Sequence, residues 1–140
     1  MSEIKPLNWS PEPGIGMSVR RRQDGGMNLA FTDTSEATVK AWREFALDHL
    51  LGSDRLTRNL YDLSAVKDIS EKAVRTAVEV NSDPSARNIR LAVVVGSEAA
   101  AKAIREIAAL ALPETSAAVK IFADMNEAEA WLSRPLDQIP

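Results

Sequence analysis

The spacing of apolar positions changes along this chain, and each change marks an element. Met27, Leu29 and Phe31 alternate with Asn28, Ala30 and Thr32, the period of a strand with one wetter face. Ser18 to Arg22 precede it across Gln23-Asp24-Gly25-Gly26. Asp-Gly supplies the positive φ angles of a tight turn, so the two runs predict a β-hairpin. Val39, Trp42, Ala46 and Leu50 then recur at helical spacing, with Phe45 and His49 beside that stripe. Asp33-Thr34-Ser35-Glu36 is a dense helix-start signal, and Gly52 is a stop.

The stretch from Leu56 to Ala77 organises the rest of the chain. Leu56, Leu60 and Leu63 mark a strand, a polar turn comes next, and Asp68, Ser70 and Glu71 offer overlapping caps for a helix. That helix turns Ala73, Val74, Ala77 and Val78 inward and Lys72, Arg75 and Glu79 outward, and Pro84 forbids its continuation past Asn81-Ser82-Asp83. Ile89 to Val95 is β-branched and nearly continuous in apolar residues, which predicts the central strand, closed by Gly96. Ser97-Glu98 opens a helix over Ala99 to Ala111 with Ile104, Ile107, Ala108 and Ala111 inward; its many alanines predict a close approach to the sheet. Pro113-Glu114-Thr115 reads as a loop and Val119 to Phe122 as the last strand. Asn126 with Glu129 would cap a short helix carrying Ala128, Trp131 and Leu132, ended by Pro135.

The predicted order is β-β-α-β-α-β-α-β-α, an α/β domain with a mostly parallel sheet and right-handed crossovers. Arg58, Asp62, Arg90 and Lys120 interrupt the strands' apolar pattern, so one sheet face is only partly covered and the helices lie mainly on the other. The predicted organisation is an N-terminal arm (1–17), one domain (18–134) and a short tail (135–140). The arm is rich in proline and glycine, and Trp9 would tether it to the domain or contact a partner. Arg20, Arg21 and Arg22 would either guard an exposed sheet edge or bind an anion or lipid headgroup.

Composition narrows the function. At 140 residues, 45% apolar and 26% charged, the chain has the size and balance of one globular domain. A net charge of −3 gives no support for nucleic acid. With no cysteine and the single histidine His49, thiol chemistry is excluded and a metal site is not expected. No apolar run reaches the ~20 residues of a membrane span, and the default compartment is the cytoplasm.

Asp62-Leu63-Ser64-Ala65-Val66-Lys67-Asp68-Ile69-Ser70 resembles the STAS domain, the fold of the anti-sigma-factor antagonists typified by SpoIIAA. Those proteins carry Asp-Leu-Ser, a spaced Val, and Asp-Ser-Ser-Gly at a helix start. Val119-Lys120-Ile121-Phe122 with Glu127-Ala128-Glu129-Ala130-Trp131-Leu132 resembles the SpoIIAA-like branch. The match departs at the switch: the serine that antagonists phosphorylate corresponds to Lys72, so the usual phospho-switch is expected to be absent. Ser70 remains near the helix start, where it serves as a cap or a modification site.

No nucleotide-binding, nucleophile-elbow or metalloprotease motif occurs, and Asp62 with Asp68 lacks further groups to make an acid–base site, so no catalytic residue or cofactor is assigned. Ser70, Lys72, Arg75 and Ser97, at helix starts, would form a weak anion or polar-ligand site. The resemblance implies a regulatory domain that engages a protein partner or a small ligand. Its alternative is apolar-ligand binding or peripheral membrane contact, with the Trp42 and Trp131 helices as walls of one pocket. A homodimer and, third, a small hydrolase or transferase stay open.

Overall fold

A computed structural model of the chain describes residues 13–22, 26–46, 57–81, 89–115 and 118–133. The readings of Trp9, Asp24-Gly25, His49, Leu50, Gly52, Leu56, Ser82 to Pro84 and Pro135 lie outside these residues. The elements are β1 (Met17–Arg21), β2 (Met27–Phe31), α1 (Glu36–Phe45), β3 (Thr57–Leu63), α2 (Glu71–Asn81), β4 (Ile89–Val95), α3 (Glu98–Thr115), β5 (Ala118–Phe122) and α4 (Met125–Leu132).

The five strands lie in the order β1-β2-β3-β4-β5. β1 runs antiparallel to β2, and every later pair is parallel. Right-handed crossovers between strands added always on the same side place every connecting helix on one sheet face. The core obeys that rule. Leu29, Leu63, Leu91, Val93 and Val95 pack under Trp42 and Phe45 of α1, Ala46 at its C-cap, Val80 of α2, and Ala100 and Ala101 of α3. On the other face Leu60, Ala92, Val94 and Phe122 are covered by Ala128, Trp131 and Leu132 of α4.

Several boundaries differ from the sequence reading. β1 begins at Met17, which is buried, and Ile15 and Gly16 just before it are tied down. Gly16 N–H donates to Thr38 Oγ1 (2.9 Å), the Gly16 carbonyl accepts from Thr32 N (2.9 Å), and Ile15 packs on the core. A Cβ at Gly16 would run into the Asp33 carboxylate and the Thr32 hydroxyl, so a larger residue there would have to displace both side chains. α3 continues through Pro113 to Thr115, so the three residues expected as a loop lie in the helix, despite the proline's disfavour for its last turn. α4 is capped by Asp124, which accepts from Asn126 N (2.8 Å), rather than by Asn126. Asx caps two residues apart have similar sequence signatures, and the one with extended backbone wins.

β1, which carries Arg20 and Arg21, forms one edge of the sheet. Arg22, just beyond it, makes a bidentate pair with Glu129 of α4 (both contacts 2.9 Å) and donates to Asn28 Oδ1 (2.7 Å). Arg90 is 2% exposed, with its guanidinium 5.8 Å from the Trp131 ring centroid. Burial, reinforced by the charge of Arg58 in the adjacent strand, lowers the Arg90 pKa from the usual arginine value. The arginine at position 90 that interrupts the strand pattern therefore lies beneath α4, on the thinly covered face.

Candidate functional site

A cavity of about 100 Å³, partly open to solvent, lies between the sheet and the α1–α3 layer. Its floor includes Tyr61 and Leu63 of β3 and Val93 of β4; its roof includes Trp42 of α1, Ala73 and Ala77 of α2, and Ile104 and Ala108 of α3. The origin of the space is legible in the side chains. Ala100, Ala101 and Ala103 are buried in the first half of α3, as an alanine-rich helix close to its neighbours requires. Further along, Ala108 faces Ala73 and Ala77 of α2 around the same opening, and three methyl groups do not fill what larger side chains would.

Polar groups at the cavity are few. Trp42 Nε1–H donates to the Tyr61 hydroxyl (2.8 Å), with the two rings edge-on at 88° and 6.2 Å between centroids. Phe31 meets Tyr61 as well, at 5.8 Å between centroids. Burial pushes the Tyr61 phenol well above the ordinary tyrosine value, against the smaller opposing effect of the Trp42 hydrogen bond, so it carries its proton. Asp33 and Thr34, between β2 and α1, complete the polar lining. The Asp33 carboxyl is held below its ordinary value by the Ser35 backbone N–H and by the Ser35 and Thr38 hydroxyls, so it is ionised at neutral pH.

The residues expected to form a polar-ligand site at the strand ends do separate, local work. Ser70 Oγ accepts from Ala73 N (3.1 Å), which makes it the N-cap of α2. Ser70→Ala is accordingly expected to cost about 1 kcal/mol, read by chemical denaturation; an unchanged midpoint would transfer the capping role to Asp68. Lys72 Nζ donates to Glu36 Oε1 of α1 (2.7 Å), Arg75 is exposed, and Ser97 Oγ accepts from Ala100 N (3.1 Å) while donating to the Lys67 carbonyl (2.6 Å). Asp62 Oδ1 accepts from both the N–H and the hydroxyl of Ser64 (3.0 and 2.6 Å), the ordinary work of a turn-forming aspartate. A Cβ on Gly96 would strike the Ser64 carbonyl, so the β3–α2 and β4–α3 loops are in contact at two places, Gly96 with Ser64 and Ser97 with Lys67.

Trp42 and Trp131 do not share a pocket. Trp42 lines the cavity under α1, whereas Trp131 packs on Phe122 (5.8 Å) in the core beneath α4, on the opposite face of the sheet. The spacing within each helix identifies the buried tryptophan correctly and carries no information about which sheet face the helix covers. Sequence reasoning misses Tyr61 as a site residue. The available signal is its place two residues before Leu63 on β3, on the face that the same periodicity turns toward the helices.

Solved structures share this architecture, among them two that are similar to the chain over most of its length. One is an uncharacterised DUF3478-family protein from Shewanella loihica with a SpoIIAA-like fold: TM-score 0.59, 19% identity, covering 89% of this chain and 98% of that one. The fold is SpoIIAA-like. The other, a candidate anti-sigma factor antagonist from Thermotoga maritima, matches with TM-score 0.56 and 16% identity over 84% of this chain and 95% of that one. No family model matches the chain, and no curated protein is significantly similar to it in sequence. The SpoIIAA-like fold expected from the two short motifs is thus present, with β1–β2 antiparallel and the remaining pairs parallel. Among the described residues, no helix is long and apolar enough to cross a membrane.

Proposed function

We propose that the chain is a non-catalytic binding domain whose ligand is a small, largely apolar molecule held between the sheet and the α1–α3 layer. The observation that carries this reading is the cavity itself. A preformed apolar space with few polar groups is the usual form of a small-molecule site, and dry cavities of ~150 Å³ accept benzene. At about 100 Å³ this one suits a compact group of several carbon atoms. Asp62, whose carboxylate stands at a strand end, is occupied in its turn rather than aimed at a substrate.

Native mass spectrometry of the purified protein, before and after mild activation, tests the proposal. A small adduct released by activation is expected. The same experiment on Ala77→Leu, which fills the cavity from α2, should show no adduct with the fold intact. A clean apo mass for the unmodified chain, with no small apolar molecule taken up on addition, would rule the reading out, as would an adduct that survives filling.

A protein partner is the second reading, favoured by the description of the Thermotoga neighbour as a candidate antagonist. The side chain at the resemblance's switch position is Lys72, exposed and bonded to Glu36, so any partner exchange here would work without serine phosphorylation at that place.

A further inference from the structure

The hydrogen bonding inside the cavity is incomplete in a way that describes its ligand. The Tyr61 oxygen accepts from Trp42 Nε1–H, and among the described residues no hydrogen bond takes up the proton that Tyr61 itself carries. Tyr61 is half-buried against the apolar lining, and an O–H there with no protein acceptor favours an occupant that supplies one. The remaining lining is apolar apart from Asp33 and Thr34. We propose that the cavity selects an uncharged molecule with a compact apolar body and one hydrogen-bond acceptor, a ketone, ester or amide carbonyl, placed to receive the Tyr61 proton. This deepens the ligand-binding reading above and rests on it.

Three comparisons set the class. A pure hydrocarbon fills the space but leaves the Tyr61 proton unmatched. A carboxylate offers an acceptor, yet it would bring a second negative charge into a chamber already bordered by ionised Asp33 and would lose its hydration against apolar walls. A carbonyl satisfies the phenol at much lower desolvation cost. It also completes a chain from Trp42 N–H to Tyr61 O–H to the ligand oxygen, in which each bond polarises the next.

The test is a ¹⁵N-detected titration of the full chain with cyclopentanone, its near-isostere methylenecyclopentane, and isovalerate. Cyclopentanone is expected to shift cavity amides and the Trp42 indole N–H together, and methylenecyclopentane to shift the amides while scarcely moving the indole. In Tyr61→Phe the ratio of ketone to alkene affinity should move about fivefold toward the alkene, the loss of one hydrogen bond. An unchanged ratio, or isovalerate binding as tightly as the ketone, would overturn the proposal while leaving an apolar site in place. If neither neutral compound perturbs cavity residues, the site reading fails with it. Should Tyr61→Phe not fold, the Trp42 indole response in the unmodified chain decides alone: equal movement with ketone and alkene refutes the selection.

Discussion

Val94→Asp is expected to yield a chain without a cooperative thermal transition. Val94 is 3% exposed in the core under α4, with Leu60, Phe122, Trp131 and Leu132. A carboxylate there would be sequestered in an apolar cluster, which costs several kcal/mol. Register makes matters worse. The partner of Val94 on β3 is Asp62, so two carboxylates would stand side by side on the same face of adjacent strands. Against a total stability on the order of 5–15 kcal/mol, the combined penalty consumes most or all of the margin. Far-UV circular dichroism with a thermal scan checks it, and a soluble variant that melts with the unmodified chain would refute the assignment of Val94 to a closed core. Val94→Thr, similar in shape and uncharged, should remain folded with a modest loss.

Trp131→Ala carries the second large effect and tests the separation of the two faces. Trp131 is 6% exposed, packs on Phe122, and lies over the buried Arg90 guanidinium. Truncation removes the largest side chain of this smaller core, so a loss of about 3–5 kcal/mol is expected, roughly 10–20 °C in melting temperature for a domain of this size. The cavity lies beyond the sheet, so affinity for a small apolar probe should change by less than about twofold in any preparation that stays folded. Trp131→Phe provides a milder variant if the alanine form is too unstable to titrate. A tenfold loss of probe affinity in folded protein would show that the faces are coupled and that Trp131 belongs to the site after all.

Much of the architecture is legible in the sequence because local chemistry and global fold agree. Met27, Leu29 and Phe31 announce a half-covered strand and are buried as that period requires, and Ile89 to Val95, read as the central strand, is an interior strand paired on both sides, although β3 holds the middle of the sheet. Ser70 declares a helix start and caps it. The illegible part depends on relations between distant segments. Alanines at 73, 77 and 108 look the same whether they admit close packing or leave a void, and only the placement of α2 against α3 decides. Arg90 breaks the apolar pattern as a wet position would, yet it is sequestered because Trp131, some forty residues later, lies against its guanidinium. Asn59 and Thr38 are likewise buried polar residues that no periodicity singles out. Each satisfies a distant backbone N–H, that of Met27 at 3.1 Å and of Gly16 at 2.9 Å.

The unshuffled strand order has a consequence for biosynthesis. Each parallel strand can dock on its predecessor as it leaves the ribosome, with the connecting helix closing the α1–α3 face behind it. Among the described residues, the opposite face receives no cover until α4 is made. In a released chain that lacked α4, Leu60, Ala92, Val94 and Phe122 would form a bare apolar surface on an otherwise assembled sheet, the kind of patch that chaperones recognise.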